Sequence, residues 1–370
     1  MADCRDVFLR ALGGVYAVAF VSLGVQLPGL AGSRGILPCG WPDWTLVAVP
    51  FAAAALALAP MLGFSRAWIF APLWIAWWLL VGAGQEFLAF QWDSLLIETG
   101  FLAILLASPR LARSRLLVWL FRALLFRLMF SSGVVKLASG DASWRRFTAL
   151  QVHYETQPIP NPVAWYLHQL PAWFQTYSAL LVFGVELAIP FLIFAPRPYR
   201  RVGAGFLVAF QLLIALTGNY AFFNLLTIAL CILLWNDPPP DDRPRHLVTA
   251  VAALVLIGGA VQIAGLFIPR HVPRVAIATF AILNRFQIVN SYGLFAVMTT
   301  TRPEIVIEGS DDGQIWKEYE FTYKPGDLGR RPRFVAPHQP RLDWQMWFAA
   351  LGGYESNPWF INLIRRLHEG

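Results

Sequence analysis

From the first residues to about position 268, apolar residues come in long runs closed by short polar turns, many of them bearing arginine. A helix that crosses a bilayer needs roughly 20 mostly apolar residues. Nine segments meet or approach that length: about 8–28, 44–63, 67–85, 93–108, 116–135, 174–195, 202–218, 220–235 and 247–268. The fourth is short and carries Glu98; the fifth carries Arg122 and Arg127, which must face protein or snorkel to an interface. Beyond Asn290 the pattern changes. Residues 304–308, Glu304-Ile305-Val306-Ile307-Glu308, read at period two, Gly309 to Gly313 is a turn cluster, and Ile315 to Tyr323 resumes strand character up to Lys324-Pro325-Gly326-Asp327. This predicts a β-hairpin, which is marginal alone and must pack on further strands or on the membrane body. Two short helices are predicted after it, one following the stretch 336–347 and one over about 358–367. The fold class is therefore mainly α. A polytopic transmembrane bundle of about nine helices fills 1–289, with a long loop region at 136–172, and a small β-rich domain, hairpin or sandwich-like, fills 290–370.

Composition agrees with the pattern and locates the charge. The chain is 57% hydrophobic and 14% charged, against about 45–50% and about 25% in soluble domains. The last 70 residues hold 19 of its 51 Asp, Glu, Lys and Arg, so a membrane body carries a water-facing tail. These figures exclude a secreted enzyme, a nucleic-acid module and a disordered scaffold. The net charge of +7 comes from 26 Arg and three Lys (Lys136, Lys317 and Lys324), grouped at the ends of apolar runs rather than in a nucleic-acid patch. Eleven bases, Arg5, Arg10, Arg66, Arg110, Arg113, Arg115, Arg197, Arg200, Arg201, Arg243 and Arg245, fall in one set of alternate loops. Only Arg34, Lys136, Arg145 and Arg146 fall in the other. By the positive-inside rule the amino terminus is cytoplasmic, and after nine crossings the 136–172 loop and the tail are exoplasmic. The bilayer is the one partner the composition dictates.

Several chemistries are unsupported. Cys4, Cys39 and Cys231 have no metal or redox spacing, and at most one disulfide is expected. No Asn-x-Ser/Thr sequon occurs, and no nucleotide, hydrolase or metalloprotease motif stands in a credible context, so no cofactor and no metal are expected. His153 and His168 lack ligand spacing, and Asp311-Asp312-Gly313 needs no ion to make a hairpin turn.

The candidate residues are charged or aromatic groups in unusual places. Glu98 lies inside a span, either as a functional acid or in an ion pair with Arg127 or Arg122. Trp92 and Asp93 read as an interfacial aromatic and a helix N-cap. Lys136, the one lysine of the first 300 residues, is either a snorkelling anchor or a base with a lowered pKa. Arg145, Arg146, His153, Tyr154 and Glu155 precede a Pro-punctuated run, 157–162, that holds this loop over the membrane core as a lid or as an ordinary connection. In the tail, His338 is expected to make structural hydrogen bonds, and Arg341, Asp343 and Trp344 join Trp92, Asp93 and Arg127 as candidates for contacting a client or substrate. Trp316, Tyr319, Phe321 and Tyr323 are expected to be exposed on the hairpin.

Three blocks carry a family resemblance: Phe90 to Ala103, Phe126 to Leu137 continuing through Trp144 to the run His153–Pro162, and Asn290 to Phe295 with the hairpin and Pro337 to Trp344. In order, they make the chain resemble the lipase maturation factor family over essentially its whole length. That resemblance implies an integral membrane protein with a lumenal or periplasmic carboxyl domain. In animals the family lies in the endoplasmic reticulum and assists assembly of secreted lipases, so a secreted client such as a lipase is the implied partner, without catalysis. It also implies a longer carboxyl domain than the residues before Gly370 provide, so the client-engaging module is expected to be shortened. The Arg-heavy, Lys-poor composition and the missing sequon fit a bacterial relative in the inner membrane. More faintly, Gly133 to Leu137 followed by Trp144 resembles the segment of vitamin K-dependent carboxylases that carries their catalytic lysine. That likeness implies an alternative, a membrane enzyme acting on a lipid or peptide with Lys136 as base and Glu98 nearby.

Overall fold

A computed structural model describes residues 3–237, 246–267 and 284–369. Each of the nine apolar segments forms a helix: α1 (Cys4–Gly24), then the short α2 (Leu27–Ala31), α3 (Asp43–Met61), α4 (Ala67–Gly84), α5 (Gln91–Leu106) and α6 (Arg115–Ala138). Three short helices follow, α7 (Ala142–Arg145), α8 (Ala149–Thr156) and α9 (Pro162–His168). The bundle then resumes with α10 (Ala172–Phe183), α11 (Arg197–Thr217), α12 (Phe223–Ile232) and α13 (His246–Phe267). Seven of these segments, α10 counted together with its continuation to Phe194, are long and apolar enough to cross a membrane. The chain is a multi-pass membrane protein.

The two short helices have a physical reason. α5 has 16 residues, about 24 Å at 1.5 Å per residue, and α12 has 10, lengthened by hydrogen-bonded turns at Tyr220–Phe223 and Leu230–Trp235. α5 packs against α1, α4 and α6, and α12 against α1, α6 and α11, and most residues of both are buried. A helix walled in by other helices meets protein rather than lipid along its length, so it need not match the bilayer thickness.

The ends of the bundle sort cleanly. The Arg5 guanidinium donates to the Leu106 carbonyl, Arg10 lies beside Gly63, and Arg122, Arg200 and Arg201 donate to carbonyls of Leu234 to Asn236. The amino terminus and the Arg-rich turns thus share one end, while Arg34, Lys136, Arg145 and Arg146 lie at or toward the other. Arg243 and Arg245 lie outside the described residues. The tail docks on the end opposite the amino terminus. Gln26 donates to the Gln339 carbonyl, Arg302 donates to carbonyls of Glu155, Gln157 and Pro158, and Asn219 holds Arg333, Val335 and Ala336.

The tail is not the β-rich or sandwich-like domain that its alternation predicts. Among the described residues the sheet is one two-residue antiparallel ladder, β1 (Glu308–Gly309) with β2 (Lys317–Glu318). The alternating residues use their apolar side on the bundle instead: Ile305, Ile307, Phe321 and Tyr323 join the same core as α1 and α5. Alternation fixes which side chains turn inward but not what they meet, and here the bundle takes the place of a second sheet. The turn itself needs no ion, because the Asp312 carboxylate accepts the N–H groups of Gln314 and Ile315 and Gly313 supplies a φ of +71°. Two helices close the chain, α14 (Arg341–Ala350) and α15 (Pro358–Glu369). The three cysteines are free thiols, so no disulfide forms.

Arg341 fixes the tail to the bundle. It sits at the start of α14, 1% exposed, and donates to both oxygens of Asp93 at 2.8 Å and to the Phe87 carbonyl at 2.7 Å. Asp93 is therefore not the N-cap its position suggests: Phe90 is the cap residue, and the Asp93 carboxylate is turned away from its own helix toward a guanidinium. Replacing Asp93 by Ala strands a buried cation, which costs about 3–5 kcal/mol. Thermal unfolding of the purified protein should therefore fall sharply in Asp93→Ala. The double variant Asp93→Leu/Arg341→Leu should recover much of that loss, and strict additivity of the single changes would contradict the pairing.

Candidate functional site

Lys136, His153 and Tyr154 converge near the tail-side end of α6. Positions 129, 132, 133 and 136 share one face of that helix by their spacing. Opposite them, α10 passes into a π-helical turn, Gly184–Ala188, and then a 3-10 stretch, Ile189–Phe194. Pro190 has no N–H to continue the regular ladder, and π turns arise where that ladder is interrupted. The turn presses Glu186 and Leu187 onto α6, where a Cβ at Gly133 would stand 3.0 Å from the Glu186 Cβ and 2.7 Å from a Leu187 methyl. Gly133 is what allows the approach.

Lys136 and Glu186 meet across this contact. The Lys136 ammonium donates to the two Glu186 oxygens at 2.9 and 2.8 Å and to the Ser132 carbonyl at 3.1 Å, and it lies 5.3 Å from the centre of the Trp144 ring. These contacts pair the Lys136 side chain with a carboxylate and a backbone carbonyl. Sequence reading missed Glu186, although an acid inside an apolar run was the signal that picked out Glu98.

Above the pair lies a cavity of about 180 Å³. Its roof comes from the loop region, the α11–α12 turn and the tail: His153 of α8, Tyr220, and Phe295, whose ring meets His153 edge-on at 4.8 Å. Its walls are apolar side chains of α6, α10 and α11. Burial pushes the His153 pKa down to about 4, helped by the Lys136 charge, so the imidazole is neutral at pH 7. The Tyr220 hydroxyl donates to Gln157 Oε1 at 2.9 Å, so it accepts from His153 Nε2 at 3.1 Å. That assigns the ring proton to Nε2 and leaves Nδ1 as an acceptor.

A second polar cluster lies deeper. Glu98 pairs with Arg127, and its other oxygen accepts the Asn290 N–H at 3.1 Å, the Asn290 amide at 3.2 Å and the Tyr292 hydroxyl at 2.8 Å. The first residues of the tail thus dip into the bundle and satisfy a buried carboxylate. Gly259 of α13 leaves room for the Arg127 side chain, 2.8 Å from where its Cβ would stand.

The other candidates fall into two groups. Trp92 and Trp344 are buried in one aromatic stack with Phe90 and Tyr220, and the Trp92 indole donates to Gln339. His338 bonds the Ser22 hydroxyl at 2.9 Å, and Asp343 accepts the N–H groups of Tyr323 and Lys324. Trp92, Trp344 and His338, with Asp93 and Arg341, make the joint between tail and bundle, while Asp343 ties the hairpin to α14 within the tail. Tyr154 is buried beside the cavity, whereas Arg145, Arg146 and Glu155 are exposed on the loop region. On the hairpin Trp316 and Tyr319 are exposed as expected, but Phe321 and Tyr323 are half-buried against the core.

A paired ammonium and carboxylate predict a specific mutational pattern. Lys136→Met leaves Glu186 buried without its partner and should cost about 3–5 kcal/mol, whereas Lys136→Met/Glu186→Met should be closer to the wild type. Thermal unfolding in detergent reads the difference, and equal losses in all three variants would contradict the pairing.

Comparison with known proteins gives a consistent answer. The lipase maturation factor transmembrane domain matches residues 3–42 and 40–239, and the lipase maturation factor C-terminal domain matches residues 288–370. Lipase maturation factor 2 of Xenopus tropicalis is 35% identical over 99% of this chain and 73% of its own length. Lipase maturation factor 2 of Gallus gallus is 36% identical over 99% and 72%, and lipase maturation factor 1 of Bos taurus is 34% identical over 98% and 78%. The alignment to the Xenopus tropicalis protein runs over 519 residues against the 370 here, so that relative carries segments within the matched region that this chain lacks. No solved structure matches. This chain belongs to the lipase maturation factor family.

Proposed function

We propose that this protein assists the folding or assembly of secreted proteins such as lipases, working on the membrane face where its tail docks. The match of both family regions across nearly the whole chain carries the reading. Two features support it. The tail shares one core with the bundle and so presents a rigid surface rather than a tethered module. On that surface Ile315, Trp316 and Tyr319 are 65%, 58% and 46% exposed, an apolar cluster of the kind that docks partner proteins.

We also place the amino terminus in the cytoplasm and the tail outside it, in the inner membrane of a bacterium. The excess of arginine at the end away from the tail supports the orientation, and the Arg-for-Lys composition supports the source.

Two experiments test these readings. In cells expressing the full chain with a secreted lipase, Ile315→Ser/Trp316→Ser should lower active secreted lipase while leaving the membrane protein at wild-type level. Loss of a central aromatic anchor weakens binding by roughly 30-fold or more, and unchanged lipase output would remove the hairpin from the client surface. In a background free of Cys4, Cys39 and Cys231, a cysteine at the exposed position Gln314 should react with an impermeant maleimide in intact cells. Reaction only after lysis would reverse the topology.

A further inference from the structure

The cavity beside Lys136 is accessible from the side. α11 packs against the irregular end of α10, Gly184 to Phe194, and at the tail side α9 packs on α11 while the Leu167 carbonyl of α9 accepts from Gln175 of α10. Between these two contacts the helices diverge, and the residues at the gap are both cavity lining and outer surface: Leu181 of α10 is 54% exposed and Leu213 of α11 is 48% exposed. Both lie in segments long and apolar enough to span a membrane, so the surface they form faces lipid. A molecule entering here comes from the bilayer and keeps its apolar part among Met129, Phe210, Leu213 and Ile214.

Of the lining's polar side chains, Ser132 and Thr217 donate their hydroxyls to carbonyls of their own helices and Gln211 accepts from Asn224, whereas Lys136, Glu186 and His153 mark the inner end. Lys136 and Glu186 neutralise each other, so the end carries no surplus positive charge to hold a phosphate or a carboxylate, and the Glu186 carboxylate opposes one. His153 is neutral, with its Nε2 proton committed to Tyr220 and Nδ1 left to accept. An acceptor at the inner end of an apolar cleft suits a hydroxyl group on a hydrocarbon chain. The geometry points to a binding site for a neutral, hydroxyl-bearing single-chain amphiphile of the monoacylglycerol type, admitted between α10 and α11 with its hydroxyl toward His153 and the Lys136–Glu186 pair. The site is separate from the exposed hairpin proposed to meet a client, so either reading can fail without the other.

The test is photocrosslinking of the full-length protein in phosphatidylcholine nanodiscs, with a monoacylglycerol carrying a diazirine in its chain as probe. The label should map to peptides of α6, α10 and α11 and be displaced by excess unlabelled monoolein. Leu213→Trp, which fills the cavity from its lipid-facing wall, should reduce labelling at least tenfold without lowering the unfolding temperature. Leu181→Trp, from the opposite helix, provides the same test should Leu213→Trp misfold. Labelling outside the cavity, labelling indifferent to both tryptophans, or equal labelling by a diazirine phosphatidylcholine would overturn the proposal. Displacement by lysophosphatidic acid as effective as by monoolein would overturn the assignment of a neutral head.

Discussion

A guanidinium buried in an aromatic surround has one tolerable condition, a carboxylate in register with it. Arg341 meets that condition through Asp93, with the Phe90 ring beside it and the Phe87 carbonyl taking a further N–H. Separating the two would leave a carboxylate at the start of α5 and a guanidinium at the start of α14, each in a pocket shaped for the other. The tail therefore belongs to the fold of the membrane body. Further contacts, from Ser22 with His338 to Asn219 with the 333–336 segment, add to this pair.

The same logic recurs inside the bundle. Glu98 with Arg127 joins α5 to α6, and Lys136 with Glu186 joins α6 to α10. Isolated charges in such surroundings are costly, whereas matched ones give each helix a rotational setting that apolar packing alone leaves loose. α6 is the hub, since it carries one member of both pairs and of the Arg122 contact at the far end. In the first pair the tail supplies further partners, Asn290 and Tyr292, so the docking of the tail and the setting of the bundle are coupled.

Much of this was legible in advance. All nine helical segments are visible as apolar runs, because hydrophobic length and helix formation in a bilayer are nearly the same constraint. Glu98 and Lys136 stand out as ionisable residues in apolar segments, and the Glu98–Arg127 pairing was one of two offered by composition. Other features were not legible. Glu186 sits in a segment whose helical register slips by a π turn, so no regular spacing relates it to Lys136, fifty positions earlier. Asp93 reads locally as a cap because a carboxylate at a helix start satisfies N–H groups anywhere, and only a guanidinium from position 341 turns it away. The hairpin residues alternate correctly but pack on helices.

By itself, the sequence determined what each segment can tolerate around it: which runs belong in lipid, which end carries the arginines, and which polar residues cannot stand alone. Those are local properties, set by transfer free energy residue by residue. Tertiary structure decided the pairings. A buried charge specifies that it needs a partner but not which one, and the choice among distant carboxylates and cations is made when helices and tail close together. The cavity beside Lys136 has the same origin, since a gap between diverging helices is a property of their packing and of no single stretch of chain.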